Sequence, residues 1–177
     1  APELAALQFE TANNMTDRAA ALTVLAHQFP EHEATRKALA AFDARYRDNG
    51  LVMDKWFVVQ ATIPGEATLE RVKSLTAHPA FSLMNPNRVR SLVGAFSSGN
   101  QTGFHRADGA GYQFLADIIL SLDRHNPQVA ARLATAFRSW RSMEEVRQLE
   151  ARKALERINA EASLSRDVKD IVERTLA

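Results

Sequence analysis

Asn49-Gly50-Leu51-Val52-Met53-Asp54-Lys55-Trp56-Phe57-Val58-Val59-Gln60-Ala61-Thr62 is apolar almost all the way round once past its opening turn. Two readings compete for it. Trp56-Phe57-Val58-Val59 joins aromatic and β-branched residues, the composition of a strand. A strand needs alternating partners, however, and the flanking segments offer only apolar residues at three-to-four spacing. The stretch therefore reads as a helix, and a helix apolar around its circumference belongs in the middle of a core. Asp54 and Lys55 interrupt it, and charges buried there need partners, so both are expected to brace one helix against another.

Working outward, the same periodicity recurs. Upstream, Thr16 is expected to cap a helix carrying Leu22, Leu25, Ala26 and Phe29 that stops at Pro30. A second helix, from about Glu31 to Asp48, carries Leu39, Phe42 and Tyr46 on one stripe and ends at Asn49-Gly50. Downstream, Leu69, Val72 and Leu75 mark a short helix, and Val89, Leu92, Val93 and Phe96 another. The stretch from Ser97 to Gly111 is rich in turn formers and reads as irregular. Tyr112 to Leu122, the segment after Asn126-Pro127, Met143 to Ala160 and Ser165 to Leu176 complete the series. With no linker or low-complexity tract, residues 1–177 read as a single domain of nine or ten helices. Trp56, Phe57, Tyr112 and Phe114 are assigned to its core.

Asn85-Pro86-Asn87-Arg88-Val89-Arg90 opens its helix with two arginines in the first turn. There the positive end of the helix dipole disfavours cations, so something outside the helix is expected to hold them. Arg88, beside the turn, is expected to be structural and to reach Asn85 or Asp54. Asn126-Pro127 repeats the opening at about the period of a HEAT or armadillo unit, in which neither helix of a pair buries its face alone. The fold class expected is therefore all-α, stacked antiparallel helix pairs forming a HEAT/armadillo-like superhelix, with an irregular bundle as the alternative.

Composition excludes several functions. With 22 basic and 21 acidic residues and a net charge of +1, no strong field directs the chain to nucleic acid or to an anionic membrane surface. No apolar run approaches the roughly 18 residues a membrane span needs. The absence of cysteine removes disulfides and thiolate metal sites, and it fits a cytoplasmic location. The start at Ala1-Pro2, without methionine, suggests excision from something longer.

Catalytic motifs are missing. His32-Glu33-Ala34-Thr35-Arg36 mimics a zinc-peptidase helix, but Arg36 stands where the second imidazole is needed and would repel Zn²⁺. There is no nucleophile elbow, P-loop or Gly-x-Gly-x-x-Gly sequence. Asp108-Gly109-Ala110-Gly111 reads as a tight turn into the Tyr112 helix, with no lysine after it to serve a phosphate. On its own residues the chain is not read as an enzyme.

A family resemblance adds to this reading. Asn13-Asn14-Met15-Thr16-Asp17-Arg18, Asn49 to Phe57, Asn85 to Phe96, Gly111-Tyr112-Gln113-Phe114-Leu115 and Asn126 to Leu133 resemble, in order and spacing, landmarks of one domain. It is the C-terminal domain of bacterial aminopeptidase N, the zinc-dependent alanyl aminopeptidases. The resemblance covers almost the whole chain and is looser over the last forty residues. It implies a non-catalytic domain that packs on the catalytic domain of the same polypeptide, encloses the active-site chamber and limits which peptide substrates enter. The family's HExxH zinc helix and GAMEN-type sequence are absent here, so the zinc cofactor is implied for the parent enzyme only. The resemblance also implies arginines facing the chamber. Arg90 and Arg132 match, and a guanidinium suits a peptide carboxylate or carbonyl. A free-standing helical-repeat module that binds a peptide or protein in its concave groove is the alternative.

Overall fold

Twelve α-helices and no strand make up the chain, described over residues 1–177 by a computed structural model. The first four are α1 (Pro2–Thr11), α2 (Met15–Gln28), α3 (Glu33–Tyr46) and α4 (Gly50–Ala61). Then come α5 (Thr68–Leu75), α6 (Pro86–Val89), α7 (Ala95–Gly99) and α8 (Gln101–Phe104). The last four are α9 (Ala110–Asp123), α10 (Pro127–Ala134), α11 (Glu145–Asn159) and α12 (Arg166–Leu176). Helix pairs stack along the chain into a superhelix of the HEAT/armadillo kind.

The segment with strand-like composition is helical, and α4 is the hub of the first half. It packs on α2, α3, α5 and the turn that follows α6. Met53, Trp56, Phe57 and Ala61 are buried, and the Trp56 indole N–H donates to the Leu39 carbonyl at 3.0 Å. Each fully buried side chain of this size stabilises the fold by roughly 1.5–3 kcal/mol. Burial is not complete around the helix, because Leu51 is 76% exposed.

Asparagine sets five of the twelve starts. Asn14, Asn49, Asn85, Asn100 and Asn126 each accept a backbone N–H from the first turn of α2, α4, α6, α8 and α10. Asn14, rather than the expected Thr16, caps α2, its side-chain oxygen accepting the Asp17 amide at 2.9 Å. Asn49 opens α4 as much as it ends α3. The stretch expected to be irregular contains the end of α7 and all of α8. Their connection is fixed by Asn100, which donates to the carbonyls of Ala61 and Ile63 at 2.9 and 2.7 Å and accepts from Gly103. With α1, which the expected series lacked, and the division of the Val89–Phe96 helix, these short helices raise the count above the nine or ten expected.

Two joints hold the first half together. Arg18 is buried with no carboxylate: it donates to the Phe9 carbonyl at 3.2 Å, to the Tyr46 hydroxyl at 3.0 Å and to the Ala12 carbonyl, tying α1, α2 and α3. Carbonyls at the end of α1 carry the negative end of its dipole, which suits a cation. Asp43 forms the other joint. Arg47 donates to both of its oxygens, and the His78 Nε2–H donates at 2.9 Å while His78 Nδ1 accepts the Ala80 amide at 3.0 Å. Burial alone would push the Asp43 carboxyl up, but the bonds from Arg47 and His78 outweigh it and hold the group below the ordinary aspartate value.

The second half is centred on α9, which packs on α8, α10 and α11, while α12 closes on α10 and α11. Phe96 joins the halves, edge-on to both Phe104 and Phe114 with centroids 6.0 Å apart. Gly111 allows α8 and α9 to meet, since a Cβ there would strike the Phe104 carbonyl. Tyr112 is buried beside His105, 2.7 Å from its Nδ1; burial pushes the phenol up to about 12 and holds the imidazole below its ordinary value.

Candidate functional site

The Asn85-Pro86 start explains its own electrostatic oddity. Asn85 caps α6 by accepting the amides of Asn87 and Arg88 at 3.0 and 3.3 Å, and Pro86 takes the first helical position, where no N–H is needed. Arg88 then turns back into the protein. Its Nη1 pairs with Asp54 of α4, and its Nε donates to the Ala80 carbonyl at 3.1 Å. Gly50 makes room for it: a Cβ at that position would lie 2.5 Å from Arg88 Nη2. Arg88 and Asp54 are only 12% and 19% exposed, so their attraction is poorly screened by water. Lys55, expected to act as a brace as well, is exposed and forms no ion pair or hydrogen bond with the chain. It follows Asp54 on α4, and one residue of helix turns it out to solvent.

Arg90 begins a different local structure. From Arg90 to Gly94 the backbone widens into a π-helical turn, in which the Ala95 amide reaches back to the Arg90 carbonyl, five residues away instead of four. Ser91, Leu92 and Val93 are buried by this turn, and Arg90 stays exposed with one long bond, 3.4 Å, to the Asn87 side chain. The turn faces α10 across a groove of about 340 Å³. Val89, Gly94, Ala95 and Ser98 line one wall, and Val129, Leu133 and the exposed Arg132 the other. The two Asn-Pro starts thus bring Arg90 and Arg132 to one groove. Its lining has two cations, no carboxylate and several aliphatic side chains, so it suits an anionic or carbonyl-bearing ligand with apolar flanks.

Four of the five histidines serve local structure. His32 Nδ1 accepts the Ala34 amide, His27 Nε2 lies 3.0 Å from the Val59 carbonyl, and His78 and His105 are bonded as described. No three histidine or carboxylate side chains gather in an arrangement that would hold a metal ion. The chain's residues therefore do not fit a zinc centre.

A second groove went unread in the sequence. It lies between the α2–α3 turn, the end of α4 and α5, has a volume of about 680 Å³, and includes Glu31, Gln60, Ile63, Arg71 and Leu75 in its lining. The available signal was Gln60, a lone amide at the end of the apolar run of α4. It is 3% exposed, and its side-chain nitrogen has no partner.

Comparison with known proteins places this geometry. The model of a family described as a domain of unknown function (DUF3458_C) with ARM repeats matches residues 1–177. Aminopeptidase N of Escherichia coli is 42% identical over 175 residues, covering 98% of this chain and 20% of that protein. Aminopeptidase N of Haemophilus influenzae is also 42% identical over 175 residues, 95% of this chain and 19% of the relative. A crystal structure of Legionella pneumophila aminopeptidase A in complex with aspartic acid superimposes with a TM-score of 0.92 at 37% identity, covering 99% of this chain and 20% of that one. The chain spans about a fifth of the length of these relatives.

Proposed function

The chain belongs to the DUF3458_C family of ARM-repeat domains, and on that premise we propose that it is the non-catalytic C-terminal domain of a zinc-dependent aminopeptidase. The observation that carries this reading is the 42% identity to aminopeptidase N along nearly the whole chain. In this role the superhelix packs on the catalytic domain of the same polypeptide and encloses the active-site chamber, admitting extended peptides and excluding folded proteins. The zinc belongs to the catalytic domain, where it supplies Lewis-acid activation of water. The enzyme works in the cytoplasm, with neither nucleic acid nor membrane as partner. Arg88 and Asp54 brace α6 against α4 and so fix the wall that carries Arg90.

Within the chamber, Arg90 and Arg132 meet the carboxylate or main-chain carbonyls of a bound peptide beyond the scissile bond. The groove between them supports this assignment through its paired cations, its apolar flanks and the absence of any competing carboxylate. Two measurements test the proposal. Adding this chain to an aminopeptidase truncated before the domain should restore cleavage of an alanyl chromogenic substrate. Failure to restore it, together with specific capture of an unrelated peptide or protein, would support a free-standing repeat module instead. In the full-length enzyme, Arg90→Ala and Arg132→Ala should each raise KM for long peptides by about tenfold, equivalent to one charge-assisted hydrogen bond, and leave dipeptides unaffected. Equal effects on long and short substrates would remove both arginines from the peptide path.

A further inference from the structure

The groove floored by Gln60 contains hydrogen-bonding capacity that the fold leaves unused. The Gln60 amide nitrogen is buried without an acceptor, a state that costs free energy unless something completes it. Beside it, Arg71 is only 28% exposed but poorly bonded: Nη1 reaches Gln60 Oε1 at 3.4 Å, and Nη2 lies 3.9 Å from Glu31 Oε1. Both distances exceed a good charge-assisted hydrogen bond. Glu70, also in the lining, is already held by Lys73 at 3.0 Å. A poorly bonded, partly buried cation and a solvent-exposed carboxylate therefore lie close together, next to the apolar side chains of Ile63 and Leu75.

That arrangement selects a ligand by charge. A simple anion would satisfy Arg71 and be repelled by Glu31, and a simple cation would meet the reverse. A zwitterion with adjacent charges satisfies both, and an aliphatic side chain fills the space along Ile63 and Leu75. We propose that this groove binds a free aliphatic α-amino acid, its carboxylate on Arg71, against which the buried Gln60 side chain lies, and its ammonium on Glu31. The site lies apart from the Arg90–Arg132 groove, and the assignment stands whether or not the peptidase role holds.

The test is an NMR titration of the isotopically labelled 177-residue chain with L-leucine. Saturable shifts should appear at the Gln60 side-chain amide and Arg71 Nε. 4-Methylpentanoate, which lacks the ammonium, and leucinamide, which lacks the carboxylate, should each bind about tenfold more weakly. Glu31 is highly exposed, so Glu31→Gln leaves the fold intact; it should weaken leucine binding at least about fivefold and not weaken binding of 4-methylpentanoate, which loses only a repulsion. No shift at Gln60 and Arg71 would overturn the proposal, as would equal binding of leucine and 4-methylpentanoate.

Discussion

Arg88 and Arg90 stand two residues apart in one helical run, yet one lies inside the fold and the other lines an open groove. The difference is geometric. Two residues of α-helix turn a side chain by about 200°, so neighbours at this spacing face opposite ways. Arg88 finds a carboxylate, a carbonyl and the gap left by Gly50; Arg90 finds one distant amide oxygen and solvent. The same residue type in the same turn serves the fold on one side of α6 and remains available for a ligand on the other. The helix dipole disfavours both cations, and only Arg88 has a compensating partner inside the chain.

The largest expected break in this comparison is Arg88→Ala. It strands Asp54 at a mostly buried position, and urea unfolding should show a loss of about 3 kcal/mol, the low end for breaking a buried pair because some solvent reaches it. A loss under about 1 kcal/mol would mean that the pair is ornamental. A double-mutant cycle with Asp54→Ala should then return a coupling of at least about 1 kcal/mol, separating the ion pair from the bond to Ala80.

Acid tests the neighbouring joint. The folded Asp43 carboxyl titrates below its unfolded value of about 3.9, so its contribution is complete above that pH and disappears as pH falls from there through the lower, folded value. The urea midpoint should drop in that window, and Asp43→Asn should flatten the drop; an unchanged pH profile would contradict the assignment. The smallest effect belongs to the exposed side. Arg90→Ala and Arg132→Ala should each change stability by less than about 0.5 kcal/mol, as expected of surface cations with little bonding. A larger loss for Arg90 would erase the contrast with Arg88.

Much of the fold was legible because it rests on local pattern. Val89, Leu92, Val93 and Phe96 are all buried, as their spacing implied, and the turn-forming asparagines mark helix starts. What escaped depends on distant contacts. Asn14 caps α2 in place of the expected Thr16, because the chain turns two residues earlier. Residues 97–111 look irregular by composition, yet Asn100 bonds back to the end of α4 and stabilises two short helices there. Arg90 and Arg132 were singled out by resemblance and by the repeated Asn-Pro opening, but not their shared groove, and the π turn that starts at Arg90 leaves no trace in hydrophobic spacing. Lys55 shows the opposite error: a charge in an apolar run reads as buried, and the helix simply turned it outward.

The Arg18 joint is the counterpart of the Asp43 joint in one further respect. Its acceptors are two carbonyls and a hydroxyl, none of which gains a proton in mild acid. Lowering the pH therefore leaves the clasp among α1, α2 and α3 untouched while the tie from α3 to His78 fails. Once the pH falls through the Asp43 value, the contact between α3 and the loop after α5 should loosen before the amino-terminal hairpin does.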